Sequence, residues 1–385
     1  MKIEYNIKRL RYLQELYRIS DDELVDMISD GLKNPILKND IYSEEIKVSY
    51  LKKIDTIFNK GINFYLDPKN LTHSLEDSVF FRKQSFNSYL NIGSKKIVTH
   101  FEEIKHSLSA ISKLSGFTTK RKLPVFKLSD NPQISANNAK SILNPPFKKE
   151  PKEFLKSLIT VFAEYNVYVF EFVETWNKKE KANIDGFFLS PNTIVIKRNA
   201  SSYRREIFTL IHELGHFFLE DEEIDEIDEK SITQSDTTPI ERWCNDFAFY
   251  FLVGKYSSAI NSISTVSSAN DYQNDLIDEI STNTHLSKIA LFTRLLIDRK
   301  ISFSDYQIIK EDLDQRYIDW QKELQRKKDF DKAQGVKNEG RPPKPIKSPL
   351  FIKAIQSGYH EGVLNEYDVC KQLNIRPEKI DKYIL

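Results

Sequence analysis

The sequence predicts an α+β fold: a small twisted sheet packed with two long helices, with helical units at both ends. Three observations carry that expectation. The segments 202–218 and 238–252 read as helices, the first with apolar residues at spacings of three and four. Phe154 to Val173 reads as a helix running into a strand, and both ends of the chain show helical patterns.

In chain order, the first sixty or so residues read as short helices. Ile7 to Tyr17 is amphipathic, Ser20 and Glu23 form the S-x-x-E box that opens a second helix, and Lys47 to Phe58 supplies another before Gly61. Residues 71 to 120 read as connecting helices. Ser202 is the expected cap of the helix whose stripe is Ile207, Leu210, Ile211, Leu214 and Phe218. Pro239 opens the next long helix and Gly254 closes it. Helical patterns follow at Asp271 to Ile280, Leu286 to Leu296 and Ser304 to Leu313. The acidic run Glu220 to Glu229 reads as a solvated loop. The stretch Lys322 to Lys347, with nine Lys or Arg against four acids around Gly340 to Pro345, reads as a basic linker before a last helical unit containing Gly362 to Leu373.

Composition excludes several classes. A hydrophobic content of 40% supports a full core, and a net charge of +1 gives no general attraction to nucleic acid or to a membrane surface. No apolar run reaches the length of a membrane span, and the start Met1-Lys2-Ile3-Glu4 has no apolar leader, so a soluble cytoplasmic protein without membrane partners is expected. Two distant cysteines, Cys244 and Cys370, form neither a disulfide framework nor a C-x-x-C metal site.

The chemistry sits in His212-Glu213-Leu214-Gly215-His216. Two imidazoles four residues apart share one helix face at about 100° per residue, and a carboxylate borders them, which is the HExxH arrangement of zinc hydrolases. A catalytic zinc takes three protein ligands and leaves a fourth position open. The third-histidine extension fails because Leu219 and Glu222 stand where it would need its residues. Glu241, at the start of the second long helix, is the candidate third ligand. Its alternative is local, because Thr238 and Glu241 also have the spacing of a capping box. Gly215 costs a helix roughly 1 kcal/mol relative to alanine, so a close backbone approach is expected there. Tyr203, His285 and Arg294 are candidate donors to a tetrahedral oxyanion, each with a structural alternative. The segment Thr193 to Ile196 is a candidate sheet edge for an extended peptide.

These residues resemble the ImmA/IrrE family of metallopeptidases. The resemblance rests on His212-Glu213-Leu214-Gly215-His216 followed by Glu241, Cys244, Asn245, Phe247 and Ala248, where the family reads E-x-x-A-N-x-F-A. The lead-in Arg205-Glu206-Ile207-Phe208-Thr209 and the segments Ile184 to Leu189 and Thr193 to Ile196 look like that family's R-x-x-F-T motif and paired strands. The resemblance implies His212, His216 and Glu241 as ligands of Zn2+, Glu213 as general base and Asn245 as a supporting residue on the face of Glu241. Cys244 departs from the usual alanine and is expected to pack as a small buried thiol. Residues 1–75 resemble the helix-turn-helix module often fused in front of such peptidases. The recognition region Gly31 to Asp40 nevertheless carries Pro35 and few base-reading side chains, and residues 1–60 hold eleven basic and eleven acidic residues. A degenerate module for protein contact or regulation is therefore expected, with nucleic acid weakly supported as a partner. The peptidase domain is expected over 76–320, and a basic linker with a helical unit over 321–385.

Two functional classes follow. The first is a zinc endopeptidase cleaving one protein partner, which the resemblance implies to be a repressor or antitoxin-like regulator in a stress, mobile-element or phage-defence circuit. The second is a regulatory or sensor component that binds its partner through the zincin fold with little turnover. A carboxylate between the two imidazoles favours the first, since a binding site needs no base.

Overall fold

A computed structural model describes residues 1–69, 90–173, 181–198, 202–222, 238–334 and 344–384. The chain forms two compact units, Met1–Ile104 with Lys178–Asn183, and Lys105–Asn177 with Ile184–Leu385. The expected boundary near residue 75 lies outside the described residues.

The first unit begins with a two-stranded antiparallel ribbon, β1 (Lys2–Glu4) and β2 (Glu45–Lys47), in which Ile3 faces Ile46. Between them run α1 (Ile7–Tyr17), α2 (Asp21–Ser29) and the single turn α3 (Lys38–Ile41), and α4 (Val48–Phe58) and α5 (Ile62–Leu66) follow. The box read from Ser20 and Glu23 is closed in both directions. Leu10, Leu13, Leu24, Leu51 and Ile54 are fully buried together with Ile46. The ribbon was not foreseen. Each strand has one apolar residue between two charged ones, too short a repeat to separate from a loop. The region Gly31 to Asp40 holds only the start of α3, so this stretch offers no long recognition helix. The helix α6 (Ile92–Ser115) contributes residues to both units.

The second unit is α+β. Its sheet has the order β3-β5-β4: β3 (Tyr168–Phe172) runs parallel to β5 (Thr193–Lys197), and β4 (Gly186–Leu189) runs antiparallel to β5. The strands are β-branched and aromatic and are buried almost throughout, so their apolar runs are continuous rather than alternating. Both edges of β5 are paired. The expectation that Thr193 to Ile196 offers a sheet edge is thereby corrected, because strand order depends on distant residues that local pattern does not encode. Among the described residues the outer strand beside the motif helix is β4.

Helices α7 (Pro132–Leu143), α8 (Pro151–Glu164), α9 (Tyr203–Leu219) and α10 (Pro239–Val253) enclose a continuous core with the sheet. Phe162, Phe188, Phe217, Phe218, Phe247 and Phe251 are all fully buried within it, each worth about 1.5–3 kcal/mol of transfer free energy. Helices α11 (Ser257–Ser262), α12 (Asn274–Thr284) and α13 (Lys288–Ile297) continue the unit. The next helix, α14, runs over Phe303–Ala333, so the expected end near Leu313 and the boundary at 320 fall inside it. Residues 322–333 of the basic stretch are helical rather than linker. Lys322 pairs with Asp319, and Arg326 and Lys327 both lie 4.0 Å from Glu323, all at helical spacing. The rest of that stretch up to residue 343 lies outside the described residues. Finally α15 (Pro349–His360), α16 (Glu366–Leu373) and α17 (Asp381–Ile384) pack into the same unit. Glu171 of β3 accepts the Ile346 N–H, and Phe351 meets Phe170 edge to face at 5.2 Å. Among the described residues no helix is long and apolar enough to cross a membrane.

Candidate metal centre

Helix α9 starts where its cap was expected, with Ser202 Oγ accepting the Arg205 N–H. Its apolar stripe packs on β4, β5 and α10, and that seating buries the whole motif: His212 is 8% exposed, Glu213 5% and His216 1%. Helix α10 starts at Thr238, whose hydroxyl accepts the Glu241 N–H at 3.2 Å. The cap therefore needs only the backbone of Glu241. Its carboxylate turns instead to the imidazoles, with Oε2 at 3.1 Å from His212 Nε2 and Oε1 at 3.0 Å from His216 Nε2.

Two glycines make this approach fit. A Cβ at Gly215 would lie 3.1 Å from Cys244 Sγ and 3.3 Å from Cys244 Cα, so α9 and α10 touch almost backbone to backbone at that point. Glu241 lies one turn before Cys244 and so reaches the His face. This is the close approach expected at Gly215, and the small thiol is what permits it. A Cβ at Gly186 would lie 2.6 Å from Thr209 Cγ2 and 3.0 Å from Glu213 Oε1, so a residue without a side chain brings the start of β4 against the Glu213 carboxylate.

The three candidate ligand residues form one buried cluster. The two Nε2 atoms are 3.2 Å apart and each faces a different oxygen of Glu241, so neighbouring donor atoms of the three residues stand 3.0 to 3.2 Å from one another. Ligands on one face of a tetrahedral zinc, at bonds of about 2.0–2.1 Å, stand about 3.3 Å from each other. Glu241 Oε1 is buried without a hydrogen-bond partner even though His216 is adjacent, which is the arrangement of donor atoms directed at a common point rather than at one another. Two imidazoles and a carboxylate are also the donor set zinc takes in hydrolases. The residues present fit the metal.

Electrostatics point the same way. Burial pulls the His212 pKa down, but the Glu241 carboxylate beside it, with Glu213 and a hydrogen bond to Asn245, outweighs burial and raises it to about 9. Burial and the charge of His212 lower His216. Burial opposes ionisation of Glu241, yet the two histidines hold its carboxyl below the usual range. Without a metal these shifts favour a protonated His212 beside an ionised Glu241. Asn245 thus supports His212 from the helix that carries Glu241.

The family model of the IrrE N-terminal-like domain (Peptidase_M78) matches residues 163–255, which span the sheet, α9 and α10. The chain carries an IrrE N-terminal-like domain. No curated protein and no solved structure matches the chain. The triangle of His212, His216 and Glu241 lies wholly within this IrrE-like domain, as does Glu213.

The three candidate oxyanion donors have other work in the fold. Arg198 donates to the Tyr203 hydroxyl and lies over its ring. His285 is stacked between Phe147 and Phe154 at 5.0 and 4.9 Å, with its Nε2 at 2.7 Å from the Lys148 carbonyl. Arg294 pairs with Asp246 at 2.5 Å and Asp298 at 3.2 Å and donates to the Tyr250 hydroxyl. None of the three belongs to the metal cluster. The acidic run is corrected in part as well. Glu220 is exposed and pairs with Arg121, but Glu222 is 8% exposed and accepts the Ser190 N–H at 2.7 Å, which fixes the turn after β4 to the end of α9. Residues 223–229 lie outside the described residues.

Sequence reading missed one cluster entirely. Arg198, at the end of β5, pairs with Glu206 at 2.5 Å and lies 3.9 Å from Glu171 of β3, all three almost fully buried. It anchors the first turn of α9 to the sheet. Glu206 was visible only as a letter in the lead-in motif, because a pair eight residues apart across a loop has no periodic signature.

Proposed function

We propose that the chain is a zinc-dependent endopeptidase that cleaves one protein partner, a repressor or antitoxin-like regulator of a bacterial stress, mobile-element or phage-defence circuit. The observation that carries this reading is the buried triangle of His212, His216 and Glu241 with Glu213 on the same helix. His212 and His216 would hold zinc through Nε2 and Glu241 through its carboxylate. When bound, zinc lowers the pKa of a coordinated water toward about 7.

The protein's own groups supply the rest. Glu213, held between α9 and the start of β4, takes the proton of the attacking water and delivers it to the leaving amine. The edge of β4 offers backbone N–H and C=O groups to an extended peptide, and Gly186 lets that edge pass close to the base. Asn245 orients His212, and burial of the motif keeps bulk water from competing for the carboxylates.

The test is co-expression of the chain with neighbouring regulators, comparing wild type with Glu213→Gln. Cleavage of one regulator by wild type alone supports the reading. Stoichiometric zinc with no Glu213-dependent cleavage of any regulator replaces it with a sensor or binding role.

A further inference from the structure

Helix α14 seats its first part in the core. Tyr306 and Ile309 are buried, Leu313 packs against the same cluster, and the Tyr306 hydroxyl meets the Thr293 hydroxyl of α13 at 3.1 Å. At about 100° per residue these three share one face, and that face does not end with them. Tyr317, Trp320 and Leu324 continue it at spacings of four and three, so the whole stripe falls within about 80° of arc. Beyond Leu313 the stripe thins to these three residues and opens to solvent: Tyr317 is 43% exposed and Trp320 52%, with their rings stacked at 5.9 Å. Ile308 and Ile318, exposed on other faces, are the scattered apolar residues that any surface carries.

A Tyr and a Trp side by side on a face continuous with the core form the natural centre of a contact. The flank of the stripe says with what. Asp312, Arg316, Glu323 and Lys327 line one side of it, so the row reads acid, base, acid, base along the chain. Turned end for end, the same row reads base, acid, base, acid. A second copy of α14 laid antiparallel therefore sets Asp312 against Lys327 and Arg316 against Glu323, each pair twice by symmetry. The same register brings Leu313 to Leu324 and gathers both copies of Tyr317 and Trp320 near the two-fold axis. On the other flank Asp314 meets Gln325, and only Lys310 and Lys328, at the ends of the overlap, face each other as like charges. Within one helix Arg316 pairs with Asp312 at 2.8 Å and Lys327 lies 4.0 Å from Glu323, which orders the row and leaves each carboxylate further oxygen lone pairs to accept with.

We propose that α14 is a self-association surface on which Leu313, Tyr317, Trp320 and Leu324 of one copy pack antiparallel against those of a second, in a register fixed by Arg316–Glu323 and Asp312–Lys327 pairs between the copies. The overlap is about 16 residues, or about 24 Å. That is a small interface, so the dimer is expected to form reversibly, on the order of micromolar concentration. The surface is independent of the metal centre and of the peptidase reading.

The test is sedimentation velocity of the full-length protein over a concentration series from about 1 to about 200 μM. A monomer–dimer equilibrium is expected, weakened about tenfold or more by the double substitution Tyr317→Ala with Trp320→Ala. Arg316→Glu and Glu323→Arg should each weaken it about tenfold, because each puts like charges together twice. Both changes in one chain, or an equimolar mixture of the two single variants, should restore association to near the wild-type level. Within one helix the two positions are about 10 Å apart along the axis, so this rescue reports a contact between copies. Wild type that stays monomeric throughout overturns the proposal and passes the stripe to a partner other than this chain. A dimer unchanged by the Tyr317 and Trp320 substitutions overturns the surface, and single charge variants without rescue overturn the antiparallel register. Far-ultraviolet circular dichroism and thermal melts establish that the variants are folded.

Discussion

Helix α9 carries two buried polar clusters, one in its first turn and one in its middle, and they are built on opposite plans. Around Glu206 the fold provides its own cation, Arg198, between two carboxylates, with the Tyr203 hydroxyl alongside. Around His212 and His216 it provides a carboxylate and two imidazoles and no permanent cation, and it leaves a Glu241 oxygen without a hydrogen bond. The first plan closes on itself and ties a helix to a sheet. The second leaves room for one positive charge from outside. A buried cluster that lacks its own counter-ion is the mark of a site, and one that contains it is the mark of a scaffold.

Substitutions can break that comparison at either end. The largest effect is expected from Glu213→Gln, which keeps the size of the side chain and the metal ligands but removes the base. Cleavage should fall about 10²- to 10⁴-fold, read by densitometry of the processed partner, with zinc content unchanged. Arg198→Met is expected to cost about 3–5 kcal/mol in chemical denaturation, because Glu206 and Glu171 are left buried without their cation. Glu241→Gln should cost the metal-free protein less than that in the same assay, and equal losses for the two would erase the distinction drawn here.

The pH dependence should also separate the metal-free from the zinc-loaded form. His212 has a folded pKa of about 9, above its unfolded value of about 6.5. Its protonation therefore stabilises the metal-free fold fully below pH 6.5, and this contribution is lost as pH rises through 9. Zinc requires the neutral imidazole, so the rise in melting temperature produced by zinc should be greater at pH 8.5 than at pH 6. A rise that shrinks with pH would contradict the assigned ligand. Gly215→Ala should destabilise the fold by about 1–3 kcal/mol and weaken zinc retention, because the added methyl forces α9 from Cys244. The smallest effect is expected from Thr238→Ala, about 1 kcal/mol in a thermal melt from the lost cap, with zinc retained because the cap and the ligand use different atoms of Glu241.

What was legible in the sequence follows from the range of the interaction. His212, Glu213 and His216 are set by helix period alone, and the caps at Ser20, Ser202 and Thr238 by spacings of three, so all of these could be read directly. Glu241 could be singled out but not separated from a capping box, because the choice depends on how closely two helices approach. That distance is set by Gly215 against Cys244 across α9 and α10. The place of β5 at the centre of the sheet, the Arg198 cluster and the burial of Glu222 depend on partners outside any local window. The length of α14 was hidden by its surface. Beyond Leu313 nearly every side chain is exposed, so the apolar period that announces a helix fades while the charge pairs that support it resemble a linker.

The most direct test of the account is zinc stoichiometry, measured by elemental mass spectrometry on purified wild type and Glu241→Ala of equal folded content. The account predicts close to one zinc per chain in wild type and its loss in the variant. Equal zinc in both, or none in wild type, would contradict a metal centre built from His212, His216 and Glu241.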